Sequence, residues 1–317
     1  KGFYVASQSP AAYCQTELSL AAALNFTYLD EVARSIGKGS TNIRPILQMI
    51  KNSKVRQVLQ SLGYSFISIS SGIPATEIRN ADLYISFKGS IKDFRKSLMD
   101  TTPLPLFLNA LSDTSQYDLH RNRVLSAFRA LASLEQGRSP FFVFAHILTP
   151  HTPYVFGRNG EAINPPGRFF INDGLIKSEA ERAAYIKGYA DQLHFINGKI
   201  KETVESILAG SEEPPVIILQ GDHGPRAYFS WKSADETYLK ECLTVLNAVY
   251  FPGGDYHDLY PTLSPINTFI AMINRISGSN RSFLDDRSFY STGARPYDFV
   301  PFDPDSYTKQ LSDFVLK

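Results

Sequence analysis

Cysteine is scarce in this 317-residue chain, with only Cys14 and Cys242 present. That excludes a disulfide-rich scaffold, and the two do not have zinc-finger spacing. Whether they pair is left open at this point. An excess of charge of either sign is missing too: 32 Lys and Arg against 31 Asp and Glu leave a formal charge of +1. This gives no support for nucleic acid as a main partner. The basic residues of Lys51-Asn52-Ser53-Lys54-Val55-Arg56 read as a solvated face. No apolar run is long enough to span a bilayer, and there is no signal peptide, internal repeat or low-complexity tract. Lys1 opens directly into Gly2-Phe3-Tyr4-Val5 without an initiator methionine, which reads as an excised or processed part of a longer protein.

What is present is a hydrophobic content of 43% and an aromatic content of 13%, enough for a sizeable core in one large domain or two smaller ones. Gly2–Val5 reads as a short strand and Leu18–Leu29, LSLAAALNFTYL, as an Ala/Leu-rich helix. Ile46–Leu62 has apolar residues spaced by threes and fours and predicts one amphipathic helix, stopped by Gly63. Tyr64–Ser70, YSFISIS, alternates like a strand. Within Ser71–Asp118 only Ile91–Met99 reads as helical, and Thr101–Leu108 carries two prolines. Leu119–Glu135 and Ser178–Leu208 predict helices, Phe141–Ile147 and Thr244–Tyr250 strands. Leu263–Ile276 is a helix opened by Ser264-Pro265. The remainder is loop-rich and aromatic. Alternating strands and helices predict a layered α/β domain.

The stretch Pro214–Arg226, PPVIILQGDHGPR, organises this pattern. Val216–Leu219 is an unbroken apolar run, as in a strand buried on both faces of a mostly parallel sheet. It ends in Gly221-Asp222-His223-Gly224. A carboxylate and an imidazole at a strand's C-terminal mouth suit Zn²⁺ or a similar divalent ion. The competing interpretation is a plain turn in which Asp222 caps the next helix and His223 is exposed. His146 and His151, with Tyr154, follow a second strand; Pro150 and Pro153 exclude a regular helix there. His146 reads as a packed, hydrogen-bonded histidine, while His151 is either functional or an exposed turn residue. Thr16 stands where a helix begins, at the positive end of a macrodipole. It is either a nucleophile activated by a metal or a simple cap.

Taken in order, several stretches carry a family resemblance: Gly2-Phe3-Tyr4-Val5; Tyr13-Cys14-Gln15-Thr16 with Leu18-Ser19-Leu20 and Leu24-Asn25; Phe142–His146 with Pro150-His151-Thr152-Pro153-Tyr154; Pro215–Gly224; Leu246-Asn247-Ala248; and Leu259-Tyr260 with Ser264–Phe269. The chain resembles the sulfatase-like branch of the alkaline phosphatase superfamily, and within it bacterial membrane-anchored phosphoglycerol and phosphoethanolamine transferases. The resemblance runs from Gly2 to about Pro301. It implies a three-layer αβα sandwich around a mostly parallel central sheet, with residues 1–317 as one catalytic domain. Thr16 and His151 are implied as catalytic residues, and Asp222, His223 and Thr16 as ligands of one divalent ion, Zn or Mn. Family members carry a further acidic ligand on an earlier strand, so that this chain is expected to hold its metal weakly or not at all.

His151, Tyr154 and Arg226 are implied on the substrate side; the competing expectation for Arg226 is a surface salt bridge. The implied substrate is a phospholipid or glycan. The implied setting is the extracytoplasmic face of a bacterial membrane, reached through segments outside this chain. Cys14 begins Cys14-Gln15-Thr16-Glu17-Leu18, without the Arg of the formylglycine motif. Phosphate transfer through Thr16 is therefore expected, with sulfate-ester hydrolysis or a catalytically dead glycan-binding remnant as the alternatives.

Overall fold

A computed structural model of the chain describes residues 2–87, 115–134, 140–166, 169–171, 176–304 and 307–314. The expected helix at Ile91–Met99 and the stretch Thr101–Leu108 lie outside the described residues. In chain order the elements are β1 (Tyr4–Val5), α1 (Thr16–Asn25), α2 (Asp30–Ile36), α3 (Arg44–Lys51), α4 (Lys54–Ser61), β2 (Ser65–Ile69), β3 (Leu83–Ile85), α5 (Gln116–Ala132) and β4 (Phe141–Ala145). There follow α6 (Glu179–Gly210), β5 (Ile217–Gln220), α7 (Leu239–Leu243), β6 (Asn247–Tyr250), α8 (Pro265–Ser277), β7 (Ser288–Thr292) and β8 (Arg295–Phe302). The fold class is α/β, as the alternation predicts. No helix among the described residues is long and apolar enough to cross a membrane.

The chain divides into two compact units, Ser65–Ser211 and the remainder, Lys1–Tyr64 with Glu212–Lys317. The Ser65–Ser211 unit holds the parallel pairing: β3-β2-β4, with Ile67 opposite Leu83 and Ser65 opposite Phe141. Phe66, Ile67, Ser68 and Ile69 are all buried, so β2 is covered on both faces although its sequence alternates. Helix α5 starts earlier than its apolar pattern because Ser115 and Asp118 form a reciprocal capping box. Ser178 caps the 32-residue α6 by accepting from the Glu181 amide.

In the other unit the strand order is β1-β6-β5, antiparallel throughout. Strand β5, expected within a parallel sheet, pairs here with β6, and its four residues are half-buried. The helix expected over Ile46–Leu62 is two helices. The chain breaks at Asn52-Ser53 because the Ser53 hydroxyl caps α4, accepting from the Arg56 amide. Helix α1 ends at Asn25, where Phe26 turns left-handed with φ 53° and a second helix follows. The aromatic C-terminal stretch contains an antiparallel hairpin, β7–β8, rather than loops alone. Phe289, Tyr290 and Tyr297 are buried in it, and the Phe289 ring stacks on Tyr13 at 5.6 Å.

Asn247 joins the pieces of this unit. Its Nδ2 donates to the Leu263 carbonyl at 2.8 Å, Thr268 Oγ1 at 2.8 Å and Ser9 Oγ at 3.1 Å. Its Oδ1 accepts from Gln220 Nε2 at 2.9 Å, at the end of β5. An apolar side chain of similar size would strip buried partners of their bonds. Asn247→Leu should therefore lower unfolding free energy by about 3 kcal/mol. Urea denaturation would show this as a lower midpoint at unchanged slope; a negligible shift would show that the hydrogen bonds carry little.

Candidate active site

The DHG turn follows directly on β5. Gly221 N–H continues the β5–β6 edge by donating to Leu246 O at 2.9 Å, and Gly224 N–H donates to Cys242 O at 2.7 Å. Neither glycine has a positive φ. Gly224 is required for close approach instead: a Cβ there would lie 2.0 Å from the Glu241 carbonyl oxygen and 2.8 Å from that of Thr244. The plain-turn interpretation does not hold. The next helix, α7, begins at Leu239 with Tyr238 as its N-cap, so Asp222 caps nothing there. The His223 side chain is 9% exposed, with Nε2 3.7 Å from Asp222 Oδ2.

His223 Nδ1 lies 2.8 Å from its neighbour's carbonyl, Gly224 O, and donates to it. That bond fixes the tautomer and leaves the ring's lone pair on Nε2. Arg226 points its Nη2 at this atom, at 3.2 Å, and the same nitrogen donates to Cys14 O at 2.7 Å. The guanidinium sits over Phe229 and Trp231, 5.2 and 4.9 Å from the ring centroids. Arg226 thus makes a half-buried contact between the DHG turn and the residues leading into α1. This aromatic slot was missed in the sequence; its one signal is the spacing Arg226, Phe229, Trp231.

Thr16 is the first residue of α1 and half-buried. It is not the cap: Gln15 occupies that position, and its amide is spent on Ser291, bonding O at 3.1 Å and Oγ at 2.8 Å. The Gln15 side chain makes no bond to the helix, so the positive end of α1 keeps its first N–H groups uncapped by it. Cys14 is fully buried, and burial pushes its thiol pKa up. Cys14 and Cys242 are free thiols within one apolar cluster, which answers the pairing left open by sequence.

His151 and Tyr154 belong to the Ser65–Ser211 unit. Their loop is pinned to α6, where Gln192 donates to His151 O at 3.2 Å and accepts from the Val155 amide at 2.8 Å. His151 Nδ1 donates to Thr152 O at 2.6 Å, which makes Nε2 the ring's acceptor. The Tyr154 ring lies over Gly188, where a Cβ would come within 2.2 Å of it, and meets Tyr185 edge-on at 5.6 Å. His146 is bonded to Thr76 Oγ1 at 2.8 Å. Glu77, missed in the sequence, gathers the Ser70 hydroxyl, the Ser71 and Gly72 amides and the Tyr84 hydroxyl just beyond β2.

No family model matches the chain, and no curated protein matches it in sequence. Solved structures do match its shape. The C-terminal periplasmic domain of EcEptC from Escherichia coli aligns at a TM-score of 0.56 and 13% identity, over 98% of this chain and 84% of that one. BT1596, a 2-O GAG sulfatase, aligns at 0.54 and 11%, over 93% and 66%. The periplasmic domain of the phosphoethanolamine transferase EptC from Campylobacter jejuni aligns at 0.50 and 11%, over 89% and 80%. The chain has the sulfatase-like, alkaline phosphatase-type fold.

Within this sulfatase-like fold the structure brings Asp222, His223 and Arg226 together with the backbone that leads into Thr16. Among the described residues no group of three or more His, Cys, Asp and Glu side chains is placed to hold a metal ion. The Asp222–His223 pair does present one carboxylate and one imidazole lone pair with its tautomer fixed, a donor set that fits a divalent ion in part.

His120, on α5, was also missed in the sequence. It is 2% exposed, beside a small cavity of about 10 Å³ lined by Ser70, Ser71, Arg123, Val124 and His146 among others. Burial, then the charges of Arg123, His151 and Arg121, push its pKa from 6.5 down to about 4. The unfolded chain therefore binds the extra proton first. The stability contributed by neutral His120 is full above pH 6.5 and is lost as pH falls through 6.5 to about 4. The loss should approach about 3 kcal/mol. Denaturation across this window should show a shallower acid limb in His120→Gln than in the parent chain. Equal limbs would assign the acid sensitivity elsewhere.

Proposed function

We propose that this chain is a phospho-transferase or phosphodiesterase that acts on a lipid head group or surface glycan, with Thr16 as nucleophile. The observation that carries this reading is the Arg226 bridge. One guanidinium nitrogen bonds both His223 and the carbonyl of Cys14, two residues before Thr16, and so ties the DHG turn to the start of α1. The periplasmic setting of the two EptC domains and the chemistry of the transferase support an extracytoplasmic location and a phosphoester substrate.

Thr16 Oγ attacks phosphorus and passes its proton to solvent, while the leaving alcohol oxygen takes one up. The Oγ–P bond forms as the bond from phosphorus to the leaving alcohol oxygen breaks. In the second step water or an acceptor hydroxyl attacks the phospho-threonine, and Thr16 leaves. The N-terminus of α1 favours negative charge at Thr16 through its uncapped N–H groups and dipole. Arg226 adds a charged donor to a phosphate oxygen; the substrate-side roles of His151 and Tyr154 rest on the family resemblance alone. Asp222, His223 and Thr16 would hold a divalent ion, Zn or Mn. When bound it supplies Lewis-acid stabilisation of the charge at the reacting oxygens.

Burial of Cys14 speaks against the sulfate-ester alternative by a modified cysteine. Its Sγ points at Ser291 O, 3.5 Å away, within the apolar cluster. With Zn²⁺ or Mn²⁺ supplied, Thr16→Ala should reduce turnover of a nitrophenyl phosphodiester to background. The fold should survive, because the Thr16 hydroxyl caps nothing. Cys14→Ala should keep most of its activity. A silent Cys14→Ala beside an active Thr16→Ala would transfer the role to the cysteine and sulfate chemistry. Full activity in both would remove the covalent mechanism.

A further inference from the structure

We propose that the Ser65–Ser211 unit carries an oxyanion-binding site of its own, in which Arg123 and His120 of α5 take one oxygen of a phosphate-type group. The inference depends on neither Thr16 nor the DHG turn. The place of the site is set by the parallel pairing of β2 and β4. Ser70 and Ser71 follow directly on β2, and His146 follows directly on β4, so the cavity they line lies at the C-terminal ends of parallel strands. Open α/β sheets receive ligands there. Helix α5 closes the cavity with His120, Arg123 and Val124. Its volume of about 10 Å³ admits one oxygen-sized atom. Arg123 is half-buried, so the rest of a larger anion stays in solvent.

Two arginines of α5 differ in a way that calls for an anion. Arg121 is fully engaged: it donates to Asp118, to the Ile163 carbonyl at 2.6 Å, to the Val155 carbonyl at 3.2 Å and to Asn164 Oδ1 at 2.8 Å. Arg123 Nε is buried without a hydrogen-bond partner. The carboxylates of this corner are engaged elsewhere, Asp118 with Arg121 and Glu77 with Arg79 at 3.7 Å. Gly72 lets the Arg123 guanidinium lie against the end of β2. At its φ of +76°, a Cβ would stand 2.5 Å from Arg123 Nη1. His120 is 2% exposed, and neither ring nitrogen has a hydrogen-bond partner. The Leu148 carbonyl favours a proton on the ring without reaching hydrogen-bond geometry. The Ser70 and Ser71 hydroxyls are turned to Glu77, and His146 is bonded to Thr76 Oγ1, so the donors at the cavity are Arg123 and His120. Buried donors without acceptors are costly. One anionic oxygen accepts from the Arg123 Nε–H and from a ring N–H of His120, and satisfies both. A guanidinium suits the oxygens of a phosphate group, which is tetrahedral. One oxygen enters the cavity while a second faces the guanidinium from outside.

The test is a titration of the whole chain with inorganic phosphate, followed by calorimetry, with Arg123→Met and Arg226→Met beside it. Arg123→Met should bind phosphate about tenfold more weakly or worse, the worth of one charge-assisted hydrogen bond. That loss is expected whatever Arg226→Met does. If affinity falls in Arg226→Met and holds in Arg123→Met, the anion binds at the DHG turn; the inference is then overturned and the proposed function is untouched. Absence of phosphate binding by the native chain also overturns it. Should a melt show Arg123→Met unfolded, Arg123→Lys decides, because it keeps the charge and loses the Nε–H at the cavity. Unchanged phosphate affinity in Arg123→Lys overturns the inference. Glucose 6-phosphate and phosphatidic acid vesicles separate the sources of the anion. Binding of either that weakens in the Arg123 variant supports the site and assigns its anion to a sugar or to a lipid.

Discussion

Asn247 is the polar knot on which the unit bearing Thr16 and the DHG turn depends. Its amide holds Ser9, ahead of α1, and Leu263 and Thr268, where α8 starts, while its oxygen holds Gln220 at the last position of β5. Such a buried amide is costly when only partly satisfied and specific when fully satisfied. One side chain thus fixes the residue before the DHG turn against the segment that carries Thr16. Gly224 adds a steric constraint. Its lack of a Cβ lets the turn lie against the carbonyls of Glu241 and Thr244, so the direction of His223 is set by backbone packing.

Once the turn is fixed, its chemistry follows from hydrogen bonding. The Gly224 carbonyl selects the His223 tautomer, and the tautomer decides that Nε2 is what the turn offers to a cation. Arg226 reads that offer and relays it to the backbone before Thr16. The burial that silences Cys14 and Cys242 works in the opposite sense. Their thiols are packed in the core, and burial pushes both pKa values up.

Sequence made the local parts of this arrangement legible. The apolar run ending in GDHG, the PHTPY loop and the Ser264-Pro265 helix start are short-range signals, and they give a strand, a loop and a helix, although the strand is half-buried and antiparallel where a doubly buried strand of a parallel sheet was expected. What sequence could not give depends on distant partners. Arg226 read as a surface charge because its acceptor, Cys14 O, is 212 residues away. The break at Asn52-Ser53 was hidden under continuous apolar spacing, since one serine cap outweighed the periodicity of Ile46–Leu62. Hairpin β7–β8 went unread because Pro296 and Pro301 break its strand pattern. Its buried faces are defined by contacts with residues near the other end of the chain, such as Tyr13. His120 has no sequence signal at all; only its burial on α5 marks it.

The central claim is that the hydroxyl tied by this network to the DHG turn forms the covalent intermediate. It is tested most directly by mass spectrometry of the Thr16 peptide after rapid acid quench during turnover of a phosphodiester. The account predicts a phosphoryl adduct on Thr16 that builds up with substrate and disappears when substrate is exhausted. An unmodified Thr16 peptide throughout steady turnover, or an adduct on another residue, would contradict it.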